Sequence, residues 1–159
     1  LRERVGGLPS ARPDQEHARA FTQAMIARLA LADGDLQGAA GVIDKAIELA
    51  VGTTDMPIVA IVGSTSVELS LKSGRVEDAA EQLGACVVLR GAEDRSNPEL
   101  APLYAAIDGH EAAFERGRGL DRDAAIARLA SCAPAVGAQG ERDEDRQQSA
   151  HPADRPEDV

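Results

Sequence analysis

Leu29–Ala50 reads LALADGDLQGAAGVIDKAIELA, and Leu69–Arg90, forty residues on, reads LSLKSGRVEDAAEQLGACVVLR. The two stretches align without a gap. Leu29 matches Leu69, Leu31 matches Leu71, Gly34 matches Gly74, and Ala39 and Ala40 match Ala79 and Ala80. Leu36 pairs with Val76, Ile43 with Leu83, Ile47 with Val87, and Leu49 with Leu89. Self-similarity at a fixed period of roughly 20 to 50 residues marks a solenoid of stacked supersecondary units. The predicted fold class is therefore all-α: a right-handed array of antiparallel helix pairs, with two clear repeats and a degenerate third.

Outward from these stretches, Pro13 with Asp14 and Glu16 is a helix start, its acids facing the positive end of the helix dipole. The first helix runs to about Ala32, and Phe21, Met25, Ile26 and Leu29 fall at helical spacing on one of its faces. Asp33-Gly34-Asp35 ends it, glycine supplying the left-handed cap. The second helix spans about Leu36 to Val51, with Leu36, Ala39, Ala40, Ile43, Ala46 and Ile47 inward. Met56–Gly63 is β-branched and reads as a buried strand on propensity alone. The repeat overrides this, because Phe21, Met25 and Leu29 map onto Ile61, Thr65 and Leu69. A third helix over Met56–Lys72, apolar nearly all round, is expected to be the most buried. Ser73-Gly74-Arg75 is the second tight turn, and a fourth helix runs from Val76 to Leu89.

The third unit is weaker, as a terminal cap of a stack should be. Pro98 opens a helix to about Ile107, a short one follows near Glu111–Arg116, and Gly117-Arg118-Gly119 breaks the chain. Asp121 caps a last helix to Ser131, with Ala124, Ala125, Ile126 and Leu129 inward. Residues 1–12 read as a leader, 13–133 as the repeat domain, and 134–159 as an acidic tail. That tail carries seven acids against three bases and almost no apolar residues, too few to offset the entropy of ordering it. The chain begins at Leu1 rather than Met, and is read as a piece of something longer.

Composition bounds the partners. Seventeen bases against 27 acids leave a net charge of −10, a surface that repels nucleic acid and anionic lipid alike. No uninterrupted apolar run reaches about 18 residues, so no membrane span is expected. Two cysteines, Cys86 and Cys132, are too few for a disulfide framework and fit a cytoplasmic setting. Aromatic residues make up only 2% of the chain, so the core must be built from Ala, Leu, Val and Ile. Such a core suits closely packed helices.

Gly34, Leu36, Ala39, Ile43 and Ala46 stand at the spacing of the Gly, large, Ala, large, Ala signature of tetratricopeptide repeats, and Gly74, Val76, Ala79, Leu83 and Cys86 repeat it. Gln23 stands where that family often has Trp, Ala30 where it has Tyr, and Val51 where it has Pro. The period is 40, longer than the family's 34. Arg90-Gly-Ala-Glu-Asp94 and Gly117-Arg-Gly-Leu-Asp121 look like the end of actinobacterial transcriptional regulators of the antibiotic-regulatory and LuxR-type ATP-binding classes. The resemblance spans roughly residues 14 to 131. It implies a helical repeat domain, with DNA-binding and nucleotide-binding modules upstream of it.

No motif carries chemistry through to completion. Ile58–Ser66 invites a phosphate-loop reading, but Glu68 and Leu69 stand where G-x-x-x-x-G-K-[ST] needs Gly and Lys. His110-Glu111 lacks the second His of a zinc-peptidase helix, since Phe114 cannot ligate. Asp33 and Asp35 read as turn and cap rather than calcium ligands. His17 reads as part of a solvated face and His151 lies in the tail. Cys86 takes an Ala-equivalent position and reads as an inert core thiol. Cys132, near a helix end, is the more reactive one, with nothing basic placed to lower its pKa. Ser64 and Ser66 have no base near them in sequence. The chain is thus expected to be non-enzymatic, with no catalytic, metal or cofactor residues.

The function that follows is a protein-interaction or signal-input module of a bacterial transcriptional regulator. Its partner is a protein or peptide, including upstream domains of the same chain, and a homodimer is open. Gln23, Arg28, Ser64, Thr65 and Glu68, at helix positions not needed for packing, are the candidate groove residues. Arg28 and Glu68 share a repeat position with opposite charge, so the groove is mixed in sign. The alternative is a small-ligand sensor, with an apolar pocket of about 300 Å³ or more between the third and fifth helices, lined by Ile61, Thr65 and Tyr104.

Overall fold

The computed structural model describes residues 13–130, so the leader, the acidic tail, Cys132 and His151 lie outside it. Seven helices occupy the described residues: α1 (Pro13–Asp33), α2 (Leu36–Gly52), α3 (Met56–Lys72), α4 (Val76–Arg90), α5 (Ala101–Ala106), α6 (Glu111–Arg118) and α7 (Arg122–Ala130). Sequential helices pack antiparallel. α1 pairs with α2 and α3 with α4, while α3 also lies against α1 and α2. Met56–Gly63 is helical, as the repeat required, and not a strand.

The two hairpin turns are built alike. In the first, Gly34 sits at φ +81°, its N–H donates to Leu31 O at 3.3 Å, and Asp35 N–H donates to Ala30 O at 2.9 Å. In the second, Gly74 sits at φ +72°, donates to Leu71 O at 3.0 Å, and Arg75 N–H donates to Ser70 O at 2.8 Å. This paired closure satisfies the last carbonyls of one helix while reversing the chain, and its left-handed residue favours glycine. The caps that follow differ. Asp35 accepts from Gly38 N–H at 2.8 Å, whereas Arg75 makes no side-chain cap and α4 instead carries Glu77 and Asp78 in its first turn.

The core is a sheet of small and branched side chains between the helices. Ala39, Ala40, Ile43, Ala46 and Ile47 of α2 are buried, and so are Ala79, Ala80, Leu83, Ala85 and Cys86 of α4. Each fully buried Leu, Ile or Val contributes roughly 1.5–3 kcal/mol, and the alanines let neighbouring backbones approach. α3 is buried on nearly every side, from Val59 to Ser70. Inside it, Ser70 Oγ donates to Gln82 Oε1 of α4 at 2.8 Å, satisfying two fully buried polar groups.

α1 packs the other way round from what large side chains suggest. Its buried residues are Ala20, Ala24, Ala27 and Leu31, while Met25, Ile26 and Leu29 are exposed. Close approach to α2 selects the alanine stripe, because bulky residues there would push the two backbones apart.

The third unit does not continue the pairing. α5 is only six residues long, and α6 packs mainly against α4. Gly117, expected to break the chain, sits inside α6 where that helix crosses α4 at Gly84. α7 then folds back over α4 and α3, with Ser66 Oγ donating to Leu129 O at 3.2 Å. Gly63 makes room for this helix: a methyl there would lie 2.5 Å from Leu129 Cδ1.

Candidate functional site

Three of the five candidate groove residues meet at the boundary between the two hairpins. Arg28 Nε donates to Glu68 Oε1 at 3.0 Å, and its Nη2 donates to Ser64 Oγ at 3.3 Å. Ser64 Oγ in turn donates to Ile61 O at 2.7 Å. Opposite charge at one repeat position thus becomes a half-buried clasp joining α1 to α3. Ser64 and Thr65 are only 2% and 0% exposed, so neither lines an open groove. They lie on α3, which is buried along most of its length, and Thr65 turns its hydroxyl back to Val62 O at 2.6 Å. Gln23, Arg28 and Glu68 retain partial access to solvent.

Glu68→Gln keeps the shape of the clasp and removes its charge. Because both partners are about a quarter exposed, the expected loss is modest, about 1 kcal/mol. A chemical denaturation midpoint that falls with an unchanged slope checks it; an unmoved midpoint would show the pair to be energetically idle.

A separate recess lies beside the second turn. It holds about 600 Å³ and is lined by Arg75, Glu77, Asp78, Glu81, His110 and Arg116 among others. Its charges largely answer one another. Arg116 Nη2 lies 2.6 Å from Glu77 Oε1, and Arg128 bridges Asp78 at 2.7 Å and Glu81 at 3.4 Å. This network ties α6 and α7 onto α4. Next to His110, Glu111 is held below the usual carboxylate range, first by its own backbone N–H and that of Gly109, and then by nearby His110 and Arg95. The His110-Glu111 pair thus opens a helix. Among the described residues no group of three or more His, Cys, Asp or Glu side chains is placed to hold a metal ion.

Sequence reasoning missed a cluster over the third unit. Arg95 stacks over the Tyr104 ring, 4.7 Å from its centroid, and Tyr104 meets Phe114 edge-on with centroids 5.9 Å apart. Glu93 pairs with Arg95 and lies 3.9 Å from Arg118. Two of the chain's three aromatic residues therefore close the 91–100 loop down onto α5 and α6. The rarity of aromatics was the available signal. Two cavities beside Tyr104 hold about 10 and 40 Å³, and neither is lined by Ile61 or Thr65, the residues anticipated with Tyr104 for a ligand pocket. Such volumes hold a water molecule or so, far below a ligand site.

Burial raises the Tyr104 pKa, with help from Glu93, against the opposing pull of Arg95 and Arg90. The folded state therefore prefers the neutral phenol. The associated stability is present below the ordinary value near 10 and is lost as pH rises through the higher folded value. Tyr104 is the chain's only tyrosine, so its phenolate absorbance reads the site directly. It is expected to titrate higher in the native chain than in denaturant; coincident curves would contradict the burial.

No helix among the described residues is long and apolar enough to cross a membrane. No family model, curated protein or solved structure matches the chain.

Proposed function

We propose that the chain is a tetratricopeptide-like repeat module, serving as a non-catalytic protein-interaction or signal-input part of a larger bacterial transcriptional regulator. One observation carries this reading: the second hairpin repeats the turn hydrogen bonds of the first at an offset of forty residues. Stacked like units present a continuous surface at their boundary, and helical-repeat proteins use such surfaces to hold peptides or other domains. Here that boundary carries Arg28 and Glu68, a pair of opposite sign suited to a partner with both signs. Occupancy there would act by favouring one arrangement of upstream modules over another.

The reading frame on the 5′ side of the Leu1 codon tests it. An in-frame winged-helix or nucleotide-binding module supports the regulator assignment. An in-frame enzyme domain would overturn it.

A further inference from the structure

The exposed apolar residues of α1 belong to a longer pattern. Gln15, Ala18, Thr22, Met25, Leu29 and Ala32 follow one another at alternating steps of three and four, and all six are exposed. That spacing is the seam of a coiled coil, three heptads long. Met25 and Leu29, its largest members, are 54% and 65% exposed, and Ile26 beside them is 43% exposed. The seam lies opposite the Ala20, Ala24, Ala27 and Leu31 stripe that faces the core. Thr22 Oγ1 donates to Ala18 O at 2.8 Å, so this hydroxyl can be covered without losing a partner. Forty residues on, the equivalents of Thr22, Met25 and Leu29 are Val62, Thr65 and Leu69, all fully buried by the chain's own helices. The same stripe is thus covered on α3 and bare on α1.

We propose that a second copy of this chain covers it, the two α1 helices lying parallel about a two-fold axis. The flanking charges select this occupant and this direction. In a parallel pair, each residue just before one seam position faces the residue five further along the partner helix. Asp14 then faces Arg19 of the other copy, Phe21 faces Ile26, and Arg28 faces Asp33. All three pairings are complementary, and each occurs twice by symmetry. Among the described residues Arg19 and Asp33 form no ion pair within the chain, and Arg28 keeps a quarter of its surface exposed beside Glu68. An antiparallel pair that kept all six seam layers would instead set Arg28 against Phe21 and Arg19 against Ile26, leaving those charges unanswered. Because α1 is already folded on α2 and α3, association orders few side chains beyond those at the seam. The contact does not depend on the regulator assignment.

Sedimentation equilibrium of the full 159-residue chain tests the proposal, over a series reaching about 1 mM, the weak end of specific affinity. The expected mass at the upper end is twice that of one chain. Leu29→Glu is expected to return it to a single chain with its helical circular dichroism intact, since Leu29 takes no part in the core. Arg19→Asp is expected to weaken the dimer about tenfold, and adding Asp14→Arg to recover most of that loss. Recovery by Asp33→Arg instead would overturn the parallel direction. A wild-type chain that stays single throughout, as it would if a different protein covers α1, overturns the self-association. A dimer untouched by Leu29→Glu places the interface elsewhere and overturns it too.

Discussion

Ala79→Glu is expected to abolish cooperative folding at room temperature, and Ala39→Glu to come close to the same outcome. Both alanines are fully buried where the two helices of a hairpin touch, and Ala39 N–H and Ala79 N–H donate to Asp35 O and Arg75 O as each second helix begins. A glutamate there adds four heavy atoms that a close-packed contact cannot hold, at a cost of about 1–3 kcal/mol. Its carboxylate must also leave water, a further cost of several kcal/mol unless it takes up a proton. Together these approach the whole stability of a domain of this size, roughly 5–15 kcal/mol. Ala79 is the worse site, because α4 carries α6 and α7 as well as α3. Ala127→Glu, on an exposed position of α7, is the control and should shift stability by less than about 0.5 kcal/mol. Thermal melts of the three variants give the answer; a wild-type melt for Ala79→Glu would remove the hairpin contact from the account.

Gly84→Ala and Gly117→Ala come next, at about 3 kcal/mol each. The two glycines face one another where α4 crosses α6. A methyl on Gly84 would fall inside the contact radius of the Phe114 carbonyl oxygen and 2.8 Å from Arg118 N. A methyl on Gly117 would overlap the Glu81 carbonyl and lie 3.0 Å from Ala85 N. These are backbone atoms, so no rotamer change relieves the clash, and α6 must move off α4. The sign is diagnostic. In an uncrowded helix, Gly→Ala stabilises by up to about 1 kcal/mol through propensity alone. Here it should destabilise strongly. The double variant should cost well short of the sum, because the first methyl already separates the helices and the second then regains its helix propensity. A single variant as stable as wild type, or more so, would refute the crossing.

How much of this was legible beforehand varies along the chain. The first four helices were, because their boundaries follow from local physics: Pro13 and Asp35 start helices, and Gly34 and Gly74 stop them. Their pairing was legible too, because a repeated pattern constrains two stretches at once. That is how Met56–Gly63 was assigned to a helix against its β-branched composition. Other features turn on residues far apart in sequence. Gly117 read as a break because glycine is a poor helix former, and nothing near it announces the α4 backbone it touches. Ser64 and Thr65 read as groove residues because they stand at helix positions that the repeat did not need for packing. They lie inside because α1, α4 and α7 enclose α3 and their hydroxyls find partners at Ile61 O and Val62 O. Arg95 over Tyr104 joins a loop to a helix with no spacing rule to reveal it.

By itself the sequence determined helix positions, the two tight turns, and which alanines let paired helices nest, since capping, glycine geometry and apolar period act over a few residues. Only the tertiary structure decided that α6 and α7 return onto α4, that Arg28 and Glu68 close on each other, and that Met25, Ile26 and Leu29 face outward. Those outcomes depend on which surfaces are brought together in space. The period of a helix shows that it has an apolar stripe, but the closeness of its neighbour decides whether the large side chains or the small ones lie within it.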